Sequence, residues 1–238
     1  ASGLLRVLRS FWLTLACALA LGFAFQGSRG LWETDEGRYT QVAMEMLRSG
    51  DYITPRRHAH HIHPTKPPLT YWAIASSVGQ FGRNEWAVRA PYALAFALTV
   101  GLLFGIGRRL TPTLPGLPAA IYATTALSFF AANLVTTDTL LTLMTTLGVF
   151  GYVGARWPLR EDHHAWRWIV LMWIGFGLAF VTKGPPGLLP LVAVLVFDAM
   201  QSQHRTRQLF DPRGLLAFAV VGLSWYIAVV LRNPGLMT

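Results

Sequence analysis

Apolar and polar positions follow one another along this chain in long blocks. Largely apolar stretches run over Leu8–Phe25, Ala90–Gly107, Pro115–Val135, Thr139–Trp157, Trp168–Thr182, Gly187–Met200 and Leu215–Leu231. A helix needs roughly 20 such residues to cross the hydrocarbon core of a bilayer. The pattern therefore predicts about seven spans, the fifth and sixth of them short. Between the first two blocks lies a polar loop from Gln26 to Arg89. Inside it, Tyr39, Val42, Ala43, Met46 and Leu47 recur at the i, i+3, i+4, i+7, i+8 spacing of an amphipathic helix. Arg38, Gln41, Glu45 and Arg48 fall on its other face, and Gly50 follows as a stop. This helix, Asp35–Arg48, is expected to lie along the membrane surface. A second apolar run, Leu69–Phe81, is too short to span and starts just after Pro67-Pro68, which suggests an interfacial or re-entrant helix. The expected fold class is thus all-α, a polytopic transmembrane helical bundle with amphipathic juxtamembrane helices in the first outer loop. No repeat, low-complexity segment or soluble second domain breaks the pattern, so residues 1–238 read as one transmembrane part.

Composition agrees with a membrane protein. The chain is 53% hydrophobic and 13% charged, about half the roughly 25% charged residues of soluble domains. The basic residues of its short loops sort by side, while the long loop 26–89 carries eight more against the trend and is discounted for its length. Arg6 and Arg9, Arg108 and Arg109, Arg156, Arg160 and Arg167, and Arg205, Arg207 and Arg213 occupy alternate short loops. Lys183 and Arg232 occupy the opposite short loops. The positive-inside rule puts the first set in the cytoplasm and the loop 26–89 outside. Arg6 and Arg9 before an apolar core, with Ala18-Leu19-Ala20 behind it, also fit a signal peptide; six further spans favour an uncleaved first helix. No basic run is interleaved with polar helix, so nucleic acid is not an expected partner. The single Cys17 excludes an intrachain disulfide.

This topology gathers charge at one membrane face. The loop 26–89, the turn at Asp138 and the turn at Lys183 all fall on the outer side, and ionisable groups at the bilayer suggest function by default. Asp35 and Glu36 open the amphipathic helix. Acids there either cap it, meeting free N–H groups and the positive end of the dipole, or supply a general base to a substrate at the outer leaflet. Asp138, after Thr136-Thr137, carries the same two readings. Lys183 precedes Gly184-Pro185-Pro186 and either snorkels beside a helix end or binds an anion. Lys66 is followed by Pro67, which disfavours helix at the lysine; a lysine held stiffly beside carboxylates suits a phosphate. His58, His60, His61 and His63 invite a metal reading, but no Cys or Glu completes a ligand set, so no metal site is expected. Gly101 and Gly105 permit close helix packing.

Taken in order, "TDEGRYTQVAMEMLRSGDYITP", "TKPPLTYW", "GRNEWAVRAPYAL", "ANLVTTDTLLTL" and "AFVTKGPPGLLPLV" resemble membrane glycosyltransferases of the GT-C fold. The nearest group contains the lipid A aminoarabinose transferases and the protein O-mannosyltransferases. The resemblance covers most of the chain. It implies transfer of a sugar from a polyprenyl-phosphate donor to a lipid, glycan or protein acceptor, at the outer face of the bacterial inner membrane. Asp35 matches the family's catalytic acid. Lys66, Asp138 and Lys183 match the lysine of its Lys-Pro-Pro element, the acid beginning a later span and the lysine of its Thr-Lys-Gly turn. Glu36 and Arg38 match recurring charged positions of the first helix and are expected, with those three, to bind substrate. Aminoarabinose transferases carry an acid just before the Lys-Pro-Pro lysine that can take part in a metal site; Thr65 stands there here, after His63 and Pro64. This departure weakens the metal and the exact aminoarabinose substrate together, so no cofactor is certain and a divalent metal is a doubtful expectation. Family members are longer, so the chain is expected to be an N-terminal portion that lacks later spans and any C-terminal domain. The alternatives are a transporter or flippase, whose charges would sit in mid-span, and a non-catalytic membrane assembly protein.

Overall fold

The protein is described here from a computed structural model, which describes residues 2–32, 34–58, 61–63, 65–159, 164–201 and 206–236. His60, Pro64, Arg160 and Arg205 lie outside the described residues, as does the side chain of His61. The chain is helical almost throughout. In order come α1 (Ser2–Arg9), α2 (Phe11–Phe23), α3 (Asp35–Ser49), a short antiparallel pair β1 (Arg56–His58) and β2 (His61–Ile62), α4 (Leu69–Phe81) and α5 (Glu85–Leu110). Then follow α6 (Leu117–Thr124), α7 (Ala126–Ala132), α8 (Thr137–Arg156), α9 (Ala165–Lys183), α10 (Leu189–Met200), α11 (Pro212–Phe218) and α12 (Ser224–Arg232).

Among the described residues, three helical segments are long and apolar enough to cross a membrane: Glu85–Leu110, Ala165–Lys183 and Pro212–Arg232. Counting each sharply bent pair as one span raises the number to five, and Pro185–Met200 is a shorter apolar segment. The first expected span is broken. Ser10 ends α1 and caps α2, its hydroxyl accepting from the Leu13 N–H, and the two helices meet at 99°. The third is broken at Thr125, whose backbone is extended. There the Thr124 and Thr125 hydroxyls bond back to the carbonyls of Ala120 and Ile121 at 2.8 and 2.6 Å, the local competition that bends helices. The last span holds a π-helical turn over Ala219–Leu223 where α11 passes into α12.

The two helices of the loop 26–89 form as their spacing predicts. α3 stops at Gly50, which takes the left-handed conformation at φ 71° that glycine tolerates. The apolar face of α3 does not lie against lipid. Tyr39, Val42, Ala43 and Met46 are buried on Tyr71, Ile74, Ala75 and Val78 of α4, above Val88 and Tyr92 of α5. Removing a side chain of this size from water contributes about 1.5–3 kcal/mol, so the loop is bound down by its own core. α5 starts earlier than expected because Asn84 caps it, accepting from the Ala87 N–H at 2.8 Å.

Small residues fix the closest helix pair. A Cβ at Gly151 of α8 would overlap the backbone of Met172 in α9, and one at Gly175 would overlap the backbone of Gly148. Backbones this close are the packing mode of helices in lipid. Outward, α10 to α12 show Val192, Val196, Met200, Leu216, Ile227 and Leu231 exposed, as a lipid-facing surface requires.

The charged loops separate to two ends of the bundle. At one end the Trp225 indole N–H donates to Ile53 O at 2.8 Å, and the Asn233 amide donates to the Thr54 hydroxyl at 3.0 Å. These bonds tie the last helix to the loop 26–89. At the other end Arg109 lies over the Trp168 ring at 4.5 Å and Arg213 over Trp166 at 4.5 Å. There Arg156 also clamps the buried Asp198 at 2.7 and 2.8 Å, and the Tyr152 hydroxyl donates to the same carboxylate at 3.0 Å. Asp198 thus belongs to a structural ion pair at the basic end.

Candidate active site

Glu36 organises the end that carries the loop 26–89. It sits in the first turn of α3 yet is only 3% exposed. Each of its carboxylate oxygens accepts three hydrogen bonds. Oε2 takes Arg29 Nη1 and the Trp32 N–H, both at 2.7 Å, and Arg89 Nη2 at 3.1 Å. Oε1 takes the Val135 N–H at 3.0 Å, Arg29 Nη2 at 3.1 Å and Arg89 Nε at 3.3 Å. Burial alone would raise this carboxyl's pKa. The two guanidinium groups and two backbone N–H donors outweigh burial and bring it down to about 2. Arg89 is buried beside it and also donates to the carbonyls of Gln26, Arg29 and Gly30 at 2.8–3.0 Å. Glu36 was expected to touch substrate; instead its lone pairs are filled from within the protein.

The consequence is positional. Glu36 joins α3 to the turn before α8, because its partner Val135 lies three residues ahead of Asp138 and Arg29 also donates to Asn133 O at 2.7 Å. Two neighbouring acids are thereby held in fixed relation. Asp35 turns outward, about half exposed, and pairs with Arg38 one turn on. Asp138 is exposed at the second residue of α8 and pairs with Lys183 at the end of α9. Neither carboxylate acts as a helix cap. Thr34 precedes α3 without a side-chain cap, and for α8 the Thr136 hydroxyl takes that role, accepting from the Asp138 N–H at 3.3 Å.

Tyr39 connects the two ion pairs. Burial raises its phenol first, and the charges of Asp35 and Asp138 raise it further against the nearby Arg38. The ring lies 5.9 Å from that of Tyr71 on α4, whose phenol is likewise pushed up by burial and feels Arg38. Asp35, Arg38 and Asp138 all bear on the Tyr39 phenol, and Lys183 is linked to them through its ion pair with Asp138. Lys66 stands half-buried ahead of α4, its ammonium without a hydrogen bond or ion pair among the described residues, between the Thr65 hydroxyl paired with His63 at 2.9 Å and the buried Pro67. No contact joins Lys66 to Asp35. Among the described residues no three His, Cys, Asp or Glu side chains come together as metal ligands.

Arg29 and Arg89 are the organising residues that sequence pattern did not single out. Arg29 follows the first apolar block and Arg89 sits at the polar edge of the second, where arginines read as ordinary flanks of a span. Only the pairing of both with one buried acid sets them apart.

The chain as a whole has counterparts among known proteins. Residues 65–230 match the family described as dolichyl-phosphate-mannose-protein mannosyltransferase. The chain belongs to this family. It is 30% identical over 232 residues to the undecaprenyl phosphate-alpha-4-amino-4-deoxy-L-arabinose arabinosyl transferase of Edwardsiella ictaluri, across 94% of this chain and 41% of that protein. It is 32% identical over 212 residues to arabinosyl transferase 2 of Pseudomonas fluorescens, across 87% of this chain and 38% of that one. Among solved structures, ArnT from Cupriavidus metallidurans in the apo state superposes with a TM-score of 0.82 at 28% identity, across 94% of this chain and 42% of ArnT. ArnT bound to undecaprenyl phosphate gives 0.80 at 27% identity, with the same coverage. The Saccharomyces cerevisiae Pmt1-Pmt2 complex, at 18% identity and a TM-score of 0.61, shares the fold. The chain is an integral membrane protein with the GT-C glycosyltransferase fold, and it spans about two fifths of the length of the relatives it matches.

Proposed function

We propose that this chain is the N-terminal transmembrane part of a membrane glycosyltransferase that moves a sugar from a polyprenyl-phosphate donor to an envelope acceptor, a lipid such as lipid A being the favoured class. The observation that carries this reading is the grouping of Asp35–Arg38 and Asp138–Lys183 around Tyr39 at one end of the bundle. The relatives' names point to the same donor, an undecaprenyl phosphate carrying aminoarabinose. About seven spans are proposed, with α6–α7 and the Pro185–Met200 segment crossing alongside the longer helices. The concentration of Arg108, Arg109, Arg156, Arg167, Arg207 and Arg213 at the opposite end supports a cytoplasmic position for that end and a site outside the inner membrane.

In this mechanism the lysines serve the phosphate. The donor is an anion anchored at the bilayer surface, and the leaving phosphate gains charge as the glycosidic bond breaks. Lys66, whose ammonium is unpaired among the described residues, receives it, and Lys183 exchanges its ion pair with Asp138 for the phosphate. Charge-assisted bonds preorganised in a water-poor site are worth several kcal/mol to a transition state. Asp35 accepts the proton of an acceptor hydroxyl, or orients an acceptor that is itself a phosphate and needs no base. Arg38 keeps Asp35 in place, and Glu36, with Arg29 and Arg89, holds both acids in register from below.

The test is transfer by the whole protein reconstituted with undecaprenyl-phosphate aminoarabinose and lipid A. Release of undecaprenyl phosphate that requires lipid A, and falls in Lys66→Ala together with donor affinity, supports the reading. Unimpaired donor binding in both Lys66→Ala and Lys183→Ala would overturn it.

A further inference from the structure

At the end of the bundle away from Asp35, α5 borders a groove of about 710 Å³, within the range of about 300–1,000 Å³ usual for ligand sites. Its walls are almost wholly apolar, with Phe11 and Leu15 of α2 on one side and Met144 and Leu147 of α8 on the other. Among the described residues no carboxylate lines it. Along α5 it runs from Leu98 to Arg109, about 16 Å at the helical rise, and Leu143 of α8 and Leu178 of α9 carry it into the middle of the bundle. Gly101 opens the slot: a Cβ there would reach only the Phe11 and Leu15 side chains, at 3.7 and 3.9 Å, in ordinary contact.

The polar mouth is cationic. Arg108 is exposed and pairs with no acid among the described residues. Arg109 is fixed next to it, its guanidinium over the Phe150 ring at 5.1 Å and the Trp168 ring at 4.5 Å, one Nη donating to Gly105 O at 3.2 Å. Its buried Nε has no acceptor. Two positive charges, one free and one with an unfilled donor, therefore stand where the slot meets headgroup depth.

We propose that this groove is a binding site for an anionic phospholipid of the leaflet opposite the candidate active site, with an acyl chain along Gly101 and the phosphate at Arg108 and Arg109. The apolar walls fit the chain. Arg108 and Arg109 at the mouth, with no acid lining the groove among the described residues, fit a headgroup of net negative charge better than a zwitterionic one, whose ammonium would face Arg108. Basic pockets between helices at the cytoplasmic side are where such lipids are recognised.

Native mass spectrometry of the whole protein tests this. The purified protein is equilibrated in detergent with equal amounts of phosphatidylglycerol and phosphatidylcholine of identical chains. One phosphatidylglycerol should be retained per protein in preference to phosphatidylcholine. Arg108→Gln should reduce that preference about fivefold, the effect of one basic residue near an anionic lipid. Gly101→Leu fills the slot and should lower retention of both lipids without changing the preference between them. Equal retention of the two lipids by the wild type, retention of neither, or retention unchanged by both variants would each overturn the site. If Gly101→Leu fails to fold, Arg108→Gln, an exposed position, decides alone.

Discussion

Glu36→Gln separates a structural acid from a substrate-binding one. The substitution keeps the shape of the side chain and removes its charge. In the protein each Glu36 oxygen accepts three hydrogen bonds. Gln turns one of those oxygens into a donor, so three N–H groups lose their acceptor and two guanidinium groups lose their counter-ion. Breaking one side of a buried ion pair costs about 3–5 kcal/mol. Arg89 keeps its three carbonyl partners, which favours the lower end. The depressed pKa leads to the same figure: from 4.5 to about 2, at 1.36 kcal/mol per unit, is about 3 kcal/mol at neutral pH. Thermal unfolding in nanodiscs, followed by tryptophan fluorescence, should therefore show Glu36→Gln clearly destabilised. Combining it with Arg29→Gln should cost less than the sum of the two changes, since both remove one network. An unchanged melting temperature with selective loss of transfer would refute the reasoning and return Glu36 to the substrate.

Other outcomes follow from the same structure. Because the Glu36 pKa is lowered on folding, its stabilisation is present above 4.5 and is lost as pH falls toward about 2; acid titration should therefore cost the wild type more stability than Glu36→Gln, in which the other ion-paired carboxylates still titrate. Gly151→Leu places a side chain on the Met172 backbone and should destabilise the α8–α9 pair by about 3 kcal/mol or more; a wild-type melting temperature would remove that packing from the account. In a Cys17→Ala background, single cysteines at Ser49 and Arg207 should react with an impermeant maleimide from opposite sides of the membrane, and labelling of both from one side would refute the orientation.

Local spacing made α3 and α4 legible, since each buries one face and that face recurs at helical period. The Asp138–Lys183 ion pair joins two turns that topology already assigns to one membrane end, because alternate loops must share one. Breaks within spans were harder. Ser10 and Thr125 act through side-chain bonds to nearby backbone inside apolar runs, and a run of hydrophobic residues looks the same whether straight or bent. The Glu36 network was the least legible. Its acid looked like a cap or a ligand, and its two arginines lie 7 and 53 positions away, so nothing local joins them. The amphipathic face of α3 was read correctly but its partner was not: α4 and α5 cover it, a tertiary pairing that periodicity alone does not specify.

The central claim is that Asp35, held outward by the Glu36 network beside the Asp138–Lys183 pair, acts in sugar transfer. The most direct measurement is single-turnover transfer from a polyprenyl-phosphate sugar to a hydroxyl acceptor by the whole protein, wild type against Asp35→Asn, with donor binding measured in parallel. Loss of a general base lowers the rate by about 10²–10⁴-fold. The account predicts a fall of that size, donor affinity within about twofold because Lys66 and Lys183 hold the phosphate, and an unchanged melting temperature because Asp35 is exposed and caps nothing. Near wild-type turnover in folded Asp35→Asn would contradict it.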